Sequence, residues 1–201
     1  MSIPMALVDY IPVTFFLIGA ILLQRELYGQ MGKGQFALFA SGTIVVFIAG
    51  FFKATWKLLY AAGVCDFQAL SNCFFPMQSV GFLLAALGVL AMVFYKTKKA
   101  VTTAAVAPPF FSGTMVFVVV MVLGVLGLDL GLCVEAARRK KYVVLPVLIL
   151  SFLFVLGMGY LSSKDFVDPA MNWIAEGVNI VGQGLFLVGA LLLRGKKKSH
   201  E

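Results

Sequence analysis

Near the end of the chain, the stretch NWIAEGVNIVGQG carries Asn172, Glu176, Asn179 and Gln183 at spacings of four, three and four residues. On an α-helix that spacing puts all four on one face. Three carboxamides and a carboxylate in one stripe can hydrogen-bond a solute, hold a charge or bind a neighbouring helix. The surrounding residues are apolar, and a carboxylate within an apolar span is costly enough to point to a partner charge or a polar cavity. The carboxamides have a plainer use as bonds between membrane helices, each contributing about 0.6 kcal/mol.

A second group lies in GFFKATWKLLYAAGVCDFQALSNCFFPMQ, residues 50–78. Lys53, Trp56, Lys57 and Tyr60 share one helical face, Gln68 and Asn72 lie one turn apart, and Gln78 sits deeper in the following apolar run. Pro76 can kink that helix and free a carbonyl. Lys57 and Tyr60 also suit an interfacial turn, with the lysine snorkelling and the rings in the aromatic belt. Lys53 suits it less well, because it directly follows the apolar run TIVVFIAGFF. The third candidate is Asp129, set between leucines beside Gly124, Gly127 and Gly131, whose spacing lets helices approach closely. Lys53 and Asp129 are both expected toward the N-terminal side, which makes an ion pair between them feasible.

These residues need a scaffold, and composition dictates its class. Of 201 residues, 61% are hydrophobic and only 12% charged, against about 25% charged in soluble domains. Residues 34–52, 67–95, 100–128, 142–163 and 177–193 carry no charge, and a helix needs about 20 residues to cross the hydrocarbon core. The chain is therefore expected to be an all-α, polytopic integral membrane protein, a single transmembrane domain of six helices at 8–27, 35–60, 69–95, 111–134, 142–161 and 170–193. A basic tail follows at 195–201. Pro108 and Pro109 belong to a connector. Asp168 and Pro169 read as the N-cap and first residue of the last span. The start lacks a basic n-region and reads as a retained first helix.

Six spans place both termini on one side. The Lys and Arg count is then ten on that side against six on the other, and the positive-inside rule makes the termini cytoplasmic. A seventh crossing near 100–111 would gather most basic connectors on one face. That stretch, AVTTAAVAPPFF, is too short for a helical crossing, and an extended one would leave backbone groups unpaired in lipid. The even balance fits two inverted three-helix halves, 1–99 and 108–194. GFLLAALGVL (81–90) and GQGLFLVGALL (182–192) echo each other, with Gly81 and Gly88 spaced like Gly182 and Gly189.

Several chemistries are excluded. The three cysteines form no CxxC, and the one histidine, His200, is in the tail. A haem with two histidine ligands, a histidine-based zinc site and a His-based catalytic dyad are ruled out. No phosphate loop or GxSxG occurs, and no cofactor or metal is expected. The basic runs ARRKKY and RGKKKSHE suit the anionic headgroups of a lipid bilayer, at about 1 kcal/mol per basic residue, and give no reason to invoke nucleic acid.

The expected function is a small membrane transporter or ligand-binding membrane protein for a modest polar or charged organic solute, bound among spans two, three, four and six. Lys53, Glu176 and Asp129 offer charge, Asn72, Gln78, Asn172, Asn179 and Gln183 offer hydrogen bonds, and Trp56 and Tyr60 offer stacking. An amide-rich lining suits an organic solute better than a bare cation, which calls for more carboxylates. Two other classes remain open. One is a membrane-embedded enzyme acting on a lipid-like substrate through Glu176 or Asp129. The other is a sensory or assembly subunit that binds another membrane protein or a second copy of itself.

Overall fold

The computed structural model describes residues 2–95, 114–162 and 169–195. Pro108, Pro109, Lys164, Asp165, Asp168 and the basic residues at 96–99 and 196–198 lie outside them. The described residues form α-helices and no strands: α1 (Ile3–Val8), α2 (Tyr10–Leu27), α3 (Lys33–Ala61), α4 (Ala69–Asn72), α5 (Phe74–Phe94), α6 (Thr114–Arg138), α7 (Val144–Ser162) and α8 (Pro169–Leu193). α1 with α2, and α4 with α5, form single membrane-length segments, so the bundle has six helical segments. Five of these are long and apolar enough to cross a membrane; in α7 the apolar run Val144–Met158 is shorter.

The two interrupted segments share a cause. Proline has no N–H for the carbonyl four residues earlier. Pro12 therefore leaves the carbonyl of Val8 without its helical donor, and Pro76 does the same for Asn72; α1 ends at Val8 and α4 at Asn72. The break expected near Pro76 thus falls one turn before it, at Cys73.

Glycines set the packing. A Cβ on Gly88 would stand 2.7 Å from the Gln35 carbonyl oxygen and the Phe39 nitrogen, and one on Gly124 would stand 2.8 Å from the Leu83 nitrogen. Such positions bring α5 against α3 on one side and α6 on the other. Gly182 and Gly189 likewise admit Phe154 and Leu148 of α7 against α8. Among the described helices, α3 with α5 and α7 with α8 pack within the two halves, while α5 with α6 and α2 with α8 pack between them.

These contacts give each helix a direction. α2 and α3 are antiparallel, joined by Tyr10–Thr55 at 3.0 Å and by Gln24 donating to Thr43 at 2.7 Å. α5 and α6 are parallel: Gly124 meets Phe82, Gly131 meets Val89, and Arg138 donates to the Val93 carbonyl at 2.6 Å. α2 and α8 are parallel as well, with Gly19 against Phe186 and Gly195 N donating to Glu26 Oε1 at 3.2 Å. The N-terminus and Gly195 therefore stand on opposite faces.

This overturns the expected topology. Tyr95 and Thr114 flank residues 96–113 on opposite faces. Both halves consequently start on the N-terminal face, in the parallel arrangement whose axis lies along the membrane normal, and are not inverted. Of nine described Lys and Arg residues, seven (Arg25, Lys33, Arg138, Arg139, Lys140, Lys141 and Arg194) now lie at one end, hereafter the basic face. Only Lys53 and Lys57 lie toward the other.

The basic face is tied together by polar contacts. Gln35 takes the Gly32 N–H at 2.8 Å and donates to the carbonyls of Ala91 at 2.9 Å and Tyr95 at 3.2 Å, satisfying the start of α3 and the end of α5 at once. Arg139 binds Glu26 at 2.5 Å and Glu135 at 2.7 Å. Lys141 donates to the carbonyls of Leu192 and Leu193 at the end of α8.

Two outcomes check this fold. In a variant with Cys73 and Cys133 replaced by alanine, a membrane-impermeant thiol reagent is expected to reach Cys65 from one side and a cysteine placed by Tyr142→Cys from the other; labelling of both from one side would refute the parallel α5–α6 pair. Gly88→Ala is expected to lower the thermal stability of the purified protein by about 1–3 kcal/mol, as overpacking does, while Gly29→Ala, with nothing within 4 Å, leaves it nearly unchanged.

Candidate functional site

A cavity of about 130 Å³ lies inside the bundle, in the half away from the basic face. α2, α3, α5, α6, α7 and α8 all line it, as does Asp9 between α1 and α2. Its charged groups are Asp9, Lys53, Lys57 and Glu176. Its amides are Gln78, Asn179 and Gln183, and its rings are Phe16, Phe47, Phe74, Phe75 and Phe82. Val118, Met121, Val155 and Met158 supply apolar wall.

The helix break at Val8 leaves Asp9 facing α3, where its carboxylate forms an ion pair with Lys57. Asp9 is 5% exposed, whereas the Lys57 side chain keeps 20% of its surface accessible. Lys53, one turn from Lys57, lies over the Phe74 ring at 3.9 Å from its centroid and 5.4 Å from that of Phe75. A ring face attracts a cation electrostatically and offers it no counter-charge. Glu176 reaches the cluster from α8, 3% exposed, with its carboxyl against that of Asp9. Oε1 of Glu176 and Oδ1 of Asp9 are buried without hydrogen-bond partners.

Five sequence candidates meet here: Lys53, Gln78, Glu176, Asn179 and Gln183. Of the stripe, Asn172 lies outside the cavity lining, about one turn nearer the start of α8. Trp56 stacks on Tyr60 with centroids 5.8 Å apart and donates to Asp66 at 2.9 Å, and Gln68 donates to the same carboxylate at 3.1 Å. Those contacts fold the α3–α4 connector upon itself, outside the cavity. Asn72 is exposed at the end of α4. Asp129 lines a separate, water-sized void of about 10 Å³ with Ser151 and Gln183. The feasible Lys53–Asp129 pair is therefore not made: α6 runs toward the basic face and carries Asp129 away from Lys53, which settles over Phe74.

Glu176 also changes ends. Inverted halves would have set it opposite Lys53 and Lys57; parallel halves bring it to them. Two members of the cluster are absent from the expected solute contacts: Asp9, and Lys57, whose place on the Lys53 face also suits an interfacial turn. Asp9 is the one acid of the first span before Glu26, and among the described residues Lys57 is the one cation that shares that end of the bundle with Lys53. Their pairing depends on α2 and α3 being antiparallel and on Pro12 breaking the helix.

Gln183 and the rings Phe16 and Phe82 line both the cavity and the smaller void beneath it. Beyond them Phe16 stacks on Phe186 at 5.4 Å, and the core closes toward the Arg139 network. The polar space thus ends at aromatic side chains midway through the bundle.

Removing one member of the ion pair has a defined expectation. Asp9→Ala leaves the Lys57 ammonium without its counter-charge and should cost more than the ~1 kcal/mol of an exposed pair. Asp9→Ala combined with Lys57→Met should recover part of the loss in thermal unfolding of the purified protein. Equal melting of the single and double variants would show that the pair contributes nothing.

Compared with known proteins, the chain matches no family model, no curated protein and no solved structure.

Proposed function

We propose that this protein is a small membrane carrier for a modest polar or charged organic solute, bound in the cavity between its two halves. The single observation that carries the reading is an internal cavity lined from six helices by charges of both signs, three carboxamides and a set of phenylalanine rings. Soluble-ligand sites combine apolar walls with a few placed polar groups, and carriers put such a site near the midplane at the interface of their halves. The lining sets acidic groups beside basic ones, which suits a solute that carries polar groups of both kinds.

The closed end supports a carrier in preference to an open pore. At the basic face, contacts join one half to the other. Glu26 of α2 meets Arg139 after α6, Arg138 of α6 holds the Val93 carbonyl of α5, and Gly195 after α8 donates to Glu26. A rocking motion that opened this face would break these bonds together and bring the halves closer around Asp9 and Glu176. By the positive-inside rule the basic face is cytoplasmic. The cavity then lies toward the outer side of the membrane, and the N-terminus with it.

The test begins with thermal-shift screening of the purified protein against small amino acids, amines and polyols, followed by counterflow of a radiolabelled hit in proteoliposomes. Asn179→Ala and Gln78→Ala should each weaken binding by roughly ten-fold, equivalent to about 1.4 kcal/mol, without lowering the melting temperature of the free protein appreciably. Hits that bind both variants as tightly as the parent would place the solute elsewhere and sink the proposal.

A further inference from the structure

We propose that the Asp9–Glu176 carboxyl pair is a proton-binding site: Glu176 holds a proton and donates it to Asp9, and the cavity is the route by which that proton arrives and leaves.

The inference follows from counting donors and acceptors. An ionised carboxylate has no hydrogen to donate, so two ionised carboxyls in contact only repel. Here Asp9 and Glu176 lie against each other, at 5% and 3% exposure, and Glu176 Oε1 and Asp9 Oδ1 are buried without partners. One proton placed on Glu176 turns the contact into an O–H···O bond to Asp9, while the other Asp9 oxygen remains with Lys57. Two acids sharing one proton is the standard solution for carboxyls held this close.

Among the described residues, every charged group facing the pair belongs to one small set. From α3 come Lys57, bound to Asp9, and Lys53 over Phe74. From α5 come Phe74, Phe75 and Gln78; from α6, Val118 and Met121; from α7, Val155 and Met158; from α8, Asn179 and Gln183. None of these α5–α8 side chains ionises. Among the described residues Lys53 is therefore the spare cation. When the proton leaves for cavity water, Glu176 becomes a carboxylate beside Asp9, and the Lys53 ammonium can exchange the ring face for the new charge. Protonation returns it to Phe74. A titration on one residue thus relocates a charged side chain that lines the solute site.

The pair joins the two halves, since Asp9 precedes α2 and Glu176 is on α8. A proton here would couple to the closing of the cavity face, with the two carboxyls drawn together when loaded and pushed apart when empty. That use depends on the carrier reading; the proton site itself does not.

The experiment is infrared difference spectroscopy of the full chain in liposomes, stepping the buffer pH from 5 to 9. The expected result is a protonated-carboxyl C=O band at neutral pH that disappears as the pH rises. Glu176→Gln should abolish it, Asp9→Asn should shift both its frequency and its titration, and Lys53→Met should move the titration while leaving the band assigned to Glu176. Absence of any band that depends on Glu176, in protein whose melting shows it folded, would overturn the proposal. So would removal of the band by sodium chloride at constant pH, which would assign the site to a metal cation. A normal band in a protein that moves no solute would leave the proton site standing and sink the carrier reading instead.

Discussion

Charged groups that lie between the ends of this bundle are drawn to its interior, because an ion or an unbonded backbone group facing hydrocarbon costs several kcal/mol. The exterior shows the complement of that constraint: Ile18, Ile44, Leu87, Val119, Leu123, Leu153 and Val188 are exposed, on helices whose polar residues turn inward. Once Asp9, Glu176, Lys53 and Lys57 are inside, they must meet one another, and the helices that carry them must be neighbours. The same constraint works on the backbone. Where Pro12 and Pro76 interrupt the ladder, the broken turns lie at one end of the bundle, near the cavity, and at the other end Gln35, Arg138 and Lys141 supply donors to the last carbonyls of α5 and α8.

Close approach through glycine makes the meeting possible. Gly81 and Gly88 seat α5 on α3, and Gly182 and Gly189 seat α8 on α7. In lipid there is no hydrophobic gain in bringing two apolar helices together, so small residues that permit backbone contact carry much of the packing. The third helix of each half lies against the second, and each half's third helix also lies against the first helix of the other. This exchange is what a two-fold axis along the membrane normal produces.

Much of the architecture was legible in the sequence. The uncharged runs located six helical segments to within a few residues, and the spacing of Asn172, Glu176, Asn179 and Gln183 identified the helix face of which three residues reach the cavity. The echo between 81–90 and 182–192 marked the two helices that occupy equivalent places. What could not be read was direction. Helix periodicity is the same whichever way a segment runs, and the residues between 96 and 113 contain no run that pays for a helical crossing. With direction misassigned, Glu176 was separated from Lys53, and Asp129 was brought to it. Asp9 carries no signal of its role in the sequence, because a lone acid near the start of a span is indistinguishable from an interfacial one until its partner on another helix is placed. Trp56 and Tyr60 show the reverse: a shared helical face establishes common orientation, and only the connector's fold, with Asp66 accepting from Trp56, decides that the face covers a loop.

The glycine echo extends into the lining, and there the equivalence breaks down. Phe75, Gln78 and Phe82 of α5 stand in the same register to Gly81 and Gly88 as Glu176, Asn179 and Gln183 of α8 stand to Gly182 and Gly189. All six face the cavity. One pair keeps its chemistry, the amides Gln78 and Asn179; the other two oppose a ring to a polar group. A symmetric bundle with identical linings would offer a solute two equal poses. Substituting Glu176 for a ring on one side and keeping Phe75 on the other removes that degeneracy, and it puts the carboxylate beside Asp9 and the rings beside Lys53. The packing of the two halves thereby supplies the hollow, while the differences between α5 and α8 at these positions supply its polarity.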